Sequence, residues 1–393
     1  MNEKERRVFV RQFILEHKEW TNKKLAEKLK ITEGAVRGMR RRLGVSSQSI
    51  PTGYQPKSDE ELHAEVIQDA TEAQVKAKLD TAHRKNKELM KLIGRLEAEK
   101  EAIFKLAESK DFHKIEARAK AGKNEATAVL LASDWHVEET VTSESVLGAN
   151  EYNPDIARKR ADMYFQNALK LIRKEQQDVE IRNVVLGLLG DFISNGIHDE
   201  LMETNAMEPI EAIMFAQELI RSGINYMLDQ SDLDFTIVCH TGNHGRTTKK
   251  IQTNETSHSL EHFMYHSLKH GFKDESRVTF LIPTSYHSYV DIYGRVIRFH
   301  HGHAVRGGAG VGGMAPSLLR AVGKWNNNRR ADIDCIGHFH QYVDFGNVIV
   351  NGSMIGYNAY AQRNAFSAEP PRQAFFLIDQ KRGKTVSAPI MFI

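Results

Sequence analysis

Thiol chemistry is nearly absent from this chain: its 393 residues include two cysteines, Cys239 and Cys335. Both lie inside strand-like apolar runs, which excludes a disulfide framework and a thiolate zinc site. Any metal must therefore be held by His, Asp and Asn. Long hydrophobic runs are missing too, since no stretch approaches the roughly 18 to 20 apolar residues of a membrane span. The opening "MNEKERRVF" is charged and leads into no signal-type apolar run, so a cytoplasmic location without a membrane partner is expected. A strong charge of one sign is also lacking, with 54 Lys and Arg against 51 Asp and Glu. The balance is nevertheless uneven along the chain. Residues 1–57 carry 14 Lys and Arg against 6 Asp and Glu, an excess of 8, and such an asymmetry points to a nucleic-acid surface or a solvated basic face. The length exceeds that of a usual single domain and predicts one sizeable core with smaller appendages.

Residues 1–45 read as a small all-helical module. In "TNKKLAEKLKITEGAVRGMRRRLGV", Thr21 can cap a short helix carrying Leu25, Ala26 and Leu29. A turn holds Lys30, Ile31 and Thr32, and a second helix carries Val36 and Leu43. The arrangement resembles a helix-turn-helix. That resemblance implies a second helix in the major groove presenting Glu33, Arg37, Arg40 and Arg41, with Arg42 near phosphates. Three small helices with a basic face and no DNA are the alternative, and Gly34 and Gly38 weaken the recognition helix. Residues 46–57, "SSQSIPTGYQPK", are turn-rich and read as a linker. Residues 58–122 read as a long helical region. Leu89, Leu96 and Ile103 repeat every seven, with Leu92 and Leu106 in the companion position, which predicts a short coiled coil and a route to a homodimer.

From residue 123 to 393 strands alternate with helices, as expected of an α/β fold with two sheets. Several of these strands end in residues of metal-ligand type: "LLASDWH" (Asp134, His136), "LGLLGDFISNG" (Asp191), "IVCHTGNHGR" (Asn243, His244), "IRFHHGH" (His301) and "DCIGHFH" (His338, His340). In open α/β sheets sites form at the carboxyl ends of strands. If "GHFH" were extended, its two imidazoles, at i and i+2, would face one point. Oxygen and imidazole donors together suit Mn²⁺, Fe²⁺ or Zn²⁺, and one shared carboxylate with three ligands on each side is the arithmetic of a two-metal centre.

In their order, D-x-H, G-D, G-N-H, H-G-H and G-H-x-H resemble the calcineurin-like metallophosphoesterase superfamily over about Ala128 to Ile393. The resemblance implies a two-sheet sandwich flanked by helices and two divalent ions, Mn²⁺ first, with Fe²⁺, Zn²⁺ or Mg²⁺ as alternatives. It further implies Asp134, His136 and His340 on one ion, Asn243, His301 and His338 on the other, and Asp191 bridging them. His244 would contact phosphate and protonate the leaving oxygen. The pattern departs from the family where Gly245 and Arg246 follow G-N-H in place of an acid. Arg246 and Arg306 are candidates for gripping phosphate, and Asn195 and His198 for contacting substrate, with loop capping as the other reading of that pair. Trp135 is expected to pack beneath the site. Joined to the basic module, these features predict a DNA phosphodiesterase in which a water activated between the ions attacks phosphorus, an exonuclease similar to the SbcD type in an architecture like that of phage enzymes. A phosphatase or nucleotide phosphodiesterase, and a non-catalytic DNA-binding regulator, are the competing readings.

Overall fold

The computed structural model describes residues 3–45, 78–91, 93–94, 111–118, 124–197, 201–305, 313–363 and 365–392. The chain divides into two units, Met1–Leu92 and Ile93–Ile393. The linker expected at 46–57 and the heptad positions Leu92, Leu96, Ile103 and Leu106 lie outside the described residues, as do His198 and Arg306.

In the first unit, α1 (Glu3–Glu16), α2 (Asn22–Leu29) and α3 (Glu33–Arg42) enclose Val10, Ile14, Leu25, Ala26, Leu29 and Val36. Thr21 caps α2 by accepting from Lys24 N, and Thr32 caps α3 by accepting from Ala35 N, each at 3.3 Å. Between them Lys30 turns left-handed at φ 53°, which lets α3 start at once. Residues 78–91 form α4.

Arg40 departs from the expected DNA-reading set. It is 3 % exposed; its guanidinium donates to Asn22 Oδ1 at 3.0 Å and to the carbonyls of Lys18 and Trp20 at 2.5 and 2.6 Å. It braces the segment joining α1 to α2 and is not offered to a ligand. Arg37, Arg41 and Arg42 are exposed.

The second unit is built of two six-stranded sheets. One has the order β1 (Phe112–Ile115), β6 (Ser288–Ile292), β7 (Arg295–Phe299), β8 (Ile333–Ile336), β10 (Val348–Val350), β9 (Val343–Asp344). The other runs β12 (Gly383–Met391), β11 (Arg372–Asp379), β2 (Glu125–Ala132), β3 (Glu180–Leu188), β4 (Asp234–Cys239), β5 (Val278–Leu281). Within the second sheet β2 to β5 are parallel, and a parallel sheet is stable when both faces are covered. Alternation along β2 shows the two coverings. Ala128, Leu130 and Ala132 join the cluster that includes α5 (Pro154–Glu175), α7 (Pro209–Asp229) and α8 (Leu260–Gly271). Val129 and Leu131 face the other sheet, against Ile297, Phe299 and Cys335. On the far side of that sheet, α9 (Ala315–Asn328) seats Leu318 and Val322 on Ile336, Val348 and Val350. Layers therefore run helix, sheet, sheet, helix. Two short helices, α6 (Leu201–Thr204) and α10 (Ala359–Arg363), lie in connections.

Two elements differ from the sequence expectation. Phe112–Ile115, inside the stretch read as helical, is a strand parallel to β6; four residues with one buried position give periodicity too little to register. Helix α8, capped by Ser259 Oγ on His262 N at 3.3 Å, was not expected. No helix among the described residues is long and apolar enough to cross a membrane.

Exchanging Arg40 for Met removes three internal hydrogen bonds and leaves two main-chain carbonyls without their donor. Arg40→Met is expected to lower the melting temperature of the helical signal from the first unit, whereas Arg41→Met leaves it unchanged; circular dichroism of both full-length variants makes the comparison.

Candidate metal centre

The carboxyl ends of β2, β3 and β4 are adjacent in one sheet, and those of β7 and β8 in the other. Each is followed within a few residues by polar side chains, and the loops bring these into two groups. Asp134, His136 and His340 form the first, and Asp191, His301 and His338 the second; in each, one ligand atom per residue lies within 4.8 Å of the others. In the first, His136 Nε2 is 3.3 Å from His340 Nε2, which is 3.4 Å from Asp134 Oδ1. In the second, His301 Nε2 is 2.9 Å from Asp191 Oδ2 and 3.2 Å from Asn243 Oδ1, so Asn243 extends that group. The groups interlock, because the main-chain N–H of His338 donates to both oxygens of Asp134 at 3.1 and 3.0 Å.

The donor set fits a cation. His301 Nδ1 donates to the carbonyl of Leu189 at 2.6 Å, which fixes the ring with Nε2 turned inward, the nitrogen at which a cation would replace a proton. Two Nε2 atoms 3.3 Å apart, as in His136 and His340, share one proton or one cation, since two inward N–H groups would collide. Electrostatics agree. Burial alone would raise the Asp191 carboxyl, but His301, His244 and His136 hold it well below the usual carboxylate range. Burial likewise opposes charge on His301, yet Asp191 pushes its pKa up to about 9. Positive charge beside Asp191 is what the site stabilises.

The backbone is bent to achieve this. Of ten non-glycine residues with positive φ among those described, six lie here: Asp134, His136, Asp191, Asn195, His338 and His340. The "GHFH" histidines therefore do not share one strand face. With φ of 71° and 57° beyond the end of β8, His338 turns to the second group and His340 to the first. Gly337 is required just before them, because a Cβ there would lie 2.6 Å from Ser133 Oγ and 2.7 Å from Asp134 Oδ2.

His244 sits at the rim. Its main-chain N–H donates to Asp191 Oδ1 at 2.7 Å, its Nδ1 meets the carbonyl of Ser194 at 2.9 Å, and its ring stands edge-on to His136 with centroids 4.9 Å apart. The neighbouring candidates are committed to the loops. Asn195 donates to the carbonyls of His244 and Arg246 at 3.1 and 2.8 Å. Arg246 donates to the carbonyls of Asn243, Thr248 and Lys249 at 2.6, 3.1 and 3.4 Å. Both clasp the 243–249 loop. Trp135 is fully buried, edge-on to Tyr164, Phe165 and Phe192. Beside the loop lies a cavity of about 450 Å³ lined by Asn195, Ile197, Pro209, Ile210, Lys249 and Leu260, among others.

Glu261, in the first turn of α8, escapes the sequence reading. Its two oxygens accept from the main-chain N–H groups of Phe192 and Gly242, each at 2.7 Å, tying together the loops that carry Asp191 and Asn243. Burial and then the charge of Asp191 push its pKa up to about 8. Gly245, standing where the family resemblance predicts an acid nearby, makes room for it, since a Cβ would lie 2.7 Å from Glu261 Cγ. A glycine after G-N-H was the one available signal. Glu261→Gln turns an amide NH₂ toward one of two main-chain donors; an expected loss of about 1–3 kcal/mol, read by urea unfolding of the metal-free chain, checks the clamp.

No family model matches the chain, and no curated protein does. Solved structures do match. A Vps29 single mutant from Entamoeba histolytica is 12 % identical over 67 % of this chain and 97 % of its own, with a TM-score of 0.26. Sulfate thiohydrolase SoxB from Thermus thermophilus, in complex with glycerol, is 11 % identical over 70 % and 58 %, with a TM-score of 0.29. The calcineurin-like phosphoesterase YfkN from Bacillus subtilis is 10 % identical over 68 % and 91 %, with a TM-score of 0.27. Likenesses this faint carry no argument about activity.

Proposed function

We propose that this chain is a calcineurin-like, dinuclear-metal-dependent phosphoesterase that cleaves DNA phosphodiester bonds. The observation that carries the reading is the pair of interlocking, mostly buried Asp/His groups assembled from four strand ends, the second extended by Asn243 from a fifth. Asp134, His136 and His340 would hold one ion, Asn243, His301 and His338 the other, with Asp191 between them. Oxygen and imidazole donors together favour Mn²⁺, with Fe²⁺, Zn²⁺ or Mg²⁺ as alternatives. Two such ions, when bound, act as Lewis acids toward phosphoryl oxygens and acidify water. The protein's own part is orientation and proton traffic. With Nδ1 committed to the Ser194 carbonyl, the His244 ring is fixed, and its Nε2 is the nitrogen that would serve the departing oxygen.

The DNA assignment is supported by the first unit, where α3 carries Arg37, Arg41 and Arg42 on exposed positions, and by Lys249 at the cavity that Asn195 and Arg246 also line. Exposed Leu79, Leu89 and Met90 on α4 support pairing of two copies through the helical region. An SbcD-type exonuclease is the finer form of the proposal. The apolar wall of Ile197, Pro209, Ile210 and Leu260 favours a second reading, a nucleotide phosphodiesterase holding a single base there.

Hydrolysis of end-labelled DNA, beside an aryl phosphodiester and an aryl phosphomonoester, decides between them. With Mn²⁺ the wild-type chain is expected to cut DNA and the aryl diester, Asp191→Asn to lose at least about 100-fold on both, and DNA binding to weaken steeply with salt. Cleavage of small esters without DNA moves the assignment to the nucleotide enzyme, and full activity in Asp191→Asn defeats the two-metal site.

A further inference from the structure

We propose that Ser194 and Glu139 are positioning residues for one of the two ion sites, acting through His136; the inference rests on the metal-centre reading above. Ser194 Oγ lies 2.9 Å from His136 Nδ1 and 3.1 Å from Glu139 Oε2. The other Glu139 oxygen accepts from Asn358 Nδ2 at 2.9 Å. All four residues are buried, none more than 6 % exposed, so water does not stand in for a missing partner.

A serine hydroxyl has one proton to give. That proton goes to Glu139 Oε2, and an oxygen lone pair is left to receive Nδ1–H from His136. The relay runs in one direction, from imidazole to hydroxyl to carboxylate. Its consequence is at the far side of the ring, where Nε2 must carry a lone pair toward His340 and Asp134, and where the distant carboxylate makes that nitrogen a better donor to a cation.

Ser194 is itself fixed from behind. Glu138 Oε1 accepts the main-chain N–H groups of Ser194 and Asn195 at 2.7 and 2.8 Å, and the Ser194 carbonyl holds His244 Nδ1. Removing the hydroxyl therefore leaves the backbone and His244 in place. In the second group His301 Nδ1 is held instead by the main-chain carbonyl of Leu189, which side-chain substitution does not touch. The two sites are separable by mutation at residues that touch neither ion.

Calorimetric titration of the full-length, chelator-stripped chain with Mn²⁺ tests this. The wild type is expected to take up two equivalents. Ser194→Ala and Glu139→Gln are expected to weaken one equivalent about 10- to 100-fold and leave the other unchanged, while Ser194→Thr, which keeps the hydroxyl, restores both. Melting temperatures of the metal-free variants, expected to fall by a few degrees for Ser194→Ala because two buried groups lose a partner, with a single cooperative transition retained, separate positioning from collapse of the fold. Unchanged binding in both variants, or equal weakening of both equivalents, overturns the proposal. A wild-type chain that binds no divalent ion overturns the metal-centre reading and this inference with it.

Discussion

A chain of L-residues resists left-handed backbone, at a cost on the order of 1–3 kcal/mol for each non-glycine residue held there. This protein adopts it at five residues of ligand type and at Asn195. Such turns persist only where their surroundings leave no alternative. Asp134 N donates to Gly190 O, Trp135 N and His136 N to Asp191 O, and Met354 N to Asp134 O; Glu261 and Glu138 each collect two main-chain N–H groups. The first three of these bonds extend the β2–β3 pairing past the end of the regular strands, and the rest tie the neighbouring loops to it. The sheets, in this view, form a frame stiff enough to keep six unfavourable turns in register with one another.

Much of that was legible in the chain itself. Asp134, Asp191, Asn243, His301 and His338 could be found because an apolar run that stops abruptly at a polar residue marks a strand end, and five such ends in order constrain one another. Other features were hidden for physical reasons. Glu261 lies on a helix and acts on backbone, so neither strand patterning nor ligand spacing reveals it. The divergence of His338 and His340 depends on φ at two residues, which composition does not encode. In "DWHVEE" the two glutamates look like solvent-facing charge; only the loop after β3, folding over them, turns them inward.

Arginine shows the same division between what a sequence displays and what a fold uses. In "MRRRLG" three arginines are equivalent as letters, yet Arg40 is spent on carbonyls inside its unit while Arg41 and Arg42 are exposed. Arg298 is spent likewise. Fully buried on β7, it meets its register partner Asp334 on β8 through two bonds of 2.6 and 3.0 Å. A buried pair with this geometry contributes little net stability but is intolerant of misalignment. It sits between the strands that deliver His301 and His338, and so fixes the second group from beneath.

The order of ligands along the chain carries a consequence for biosynthesis. Asp134 and His136 emerge early, but their partner is His340; Asp191 and His301 likewise wait for His338. Both groups close only when β8 docks beside β7, after nearly all of the second unit has left the ribosome. Until then the early carboxylates and imidazoles are unpaired ligands on an unfinished sheet. Closure of both groups is thus tied to the late synthesis of β8, and long-range strand pairing of this kind forms slowly. A nascent chain that stops before His338 holds two of the three residues of each group and neither group whole.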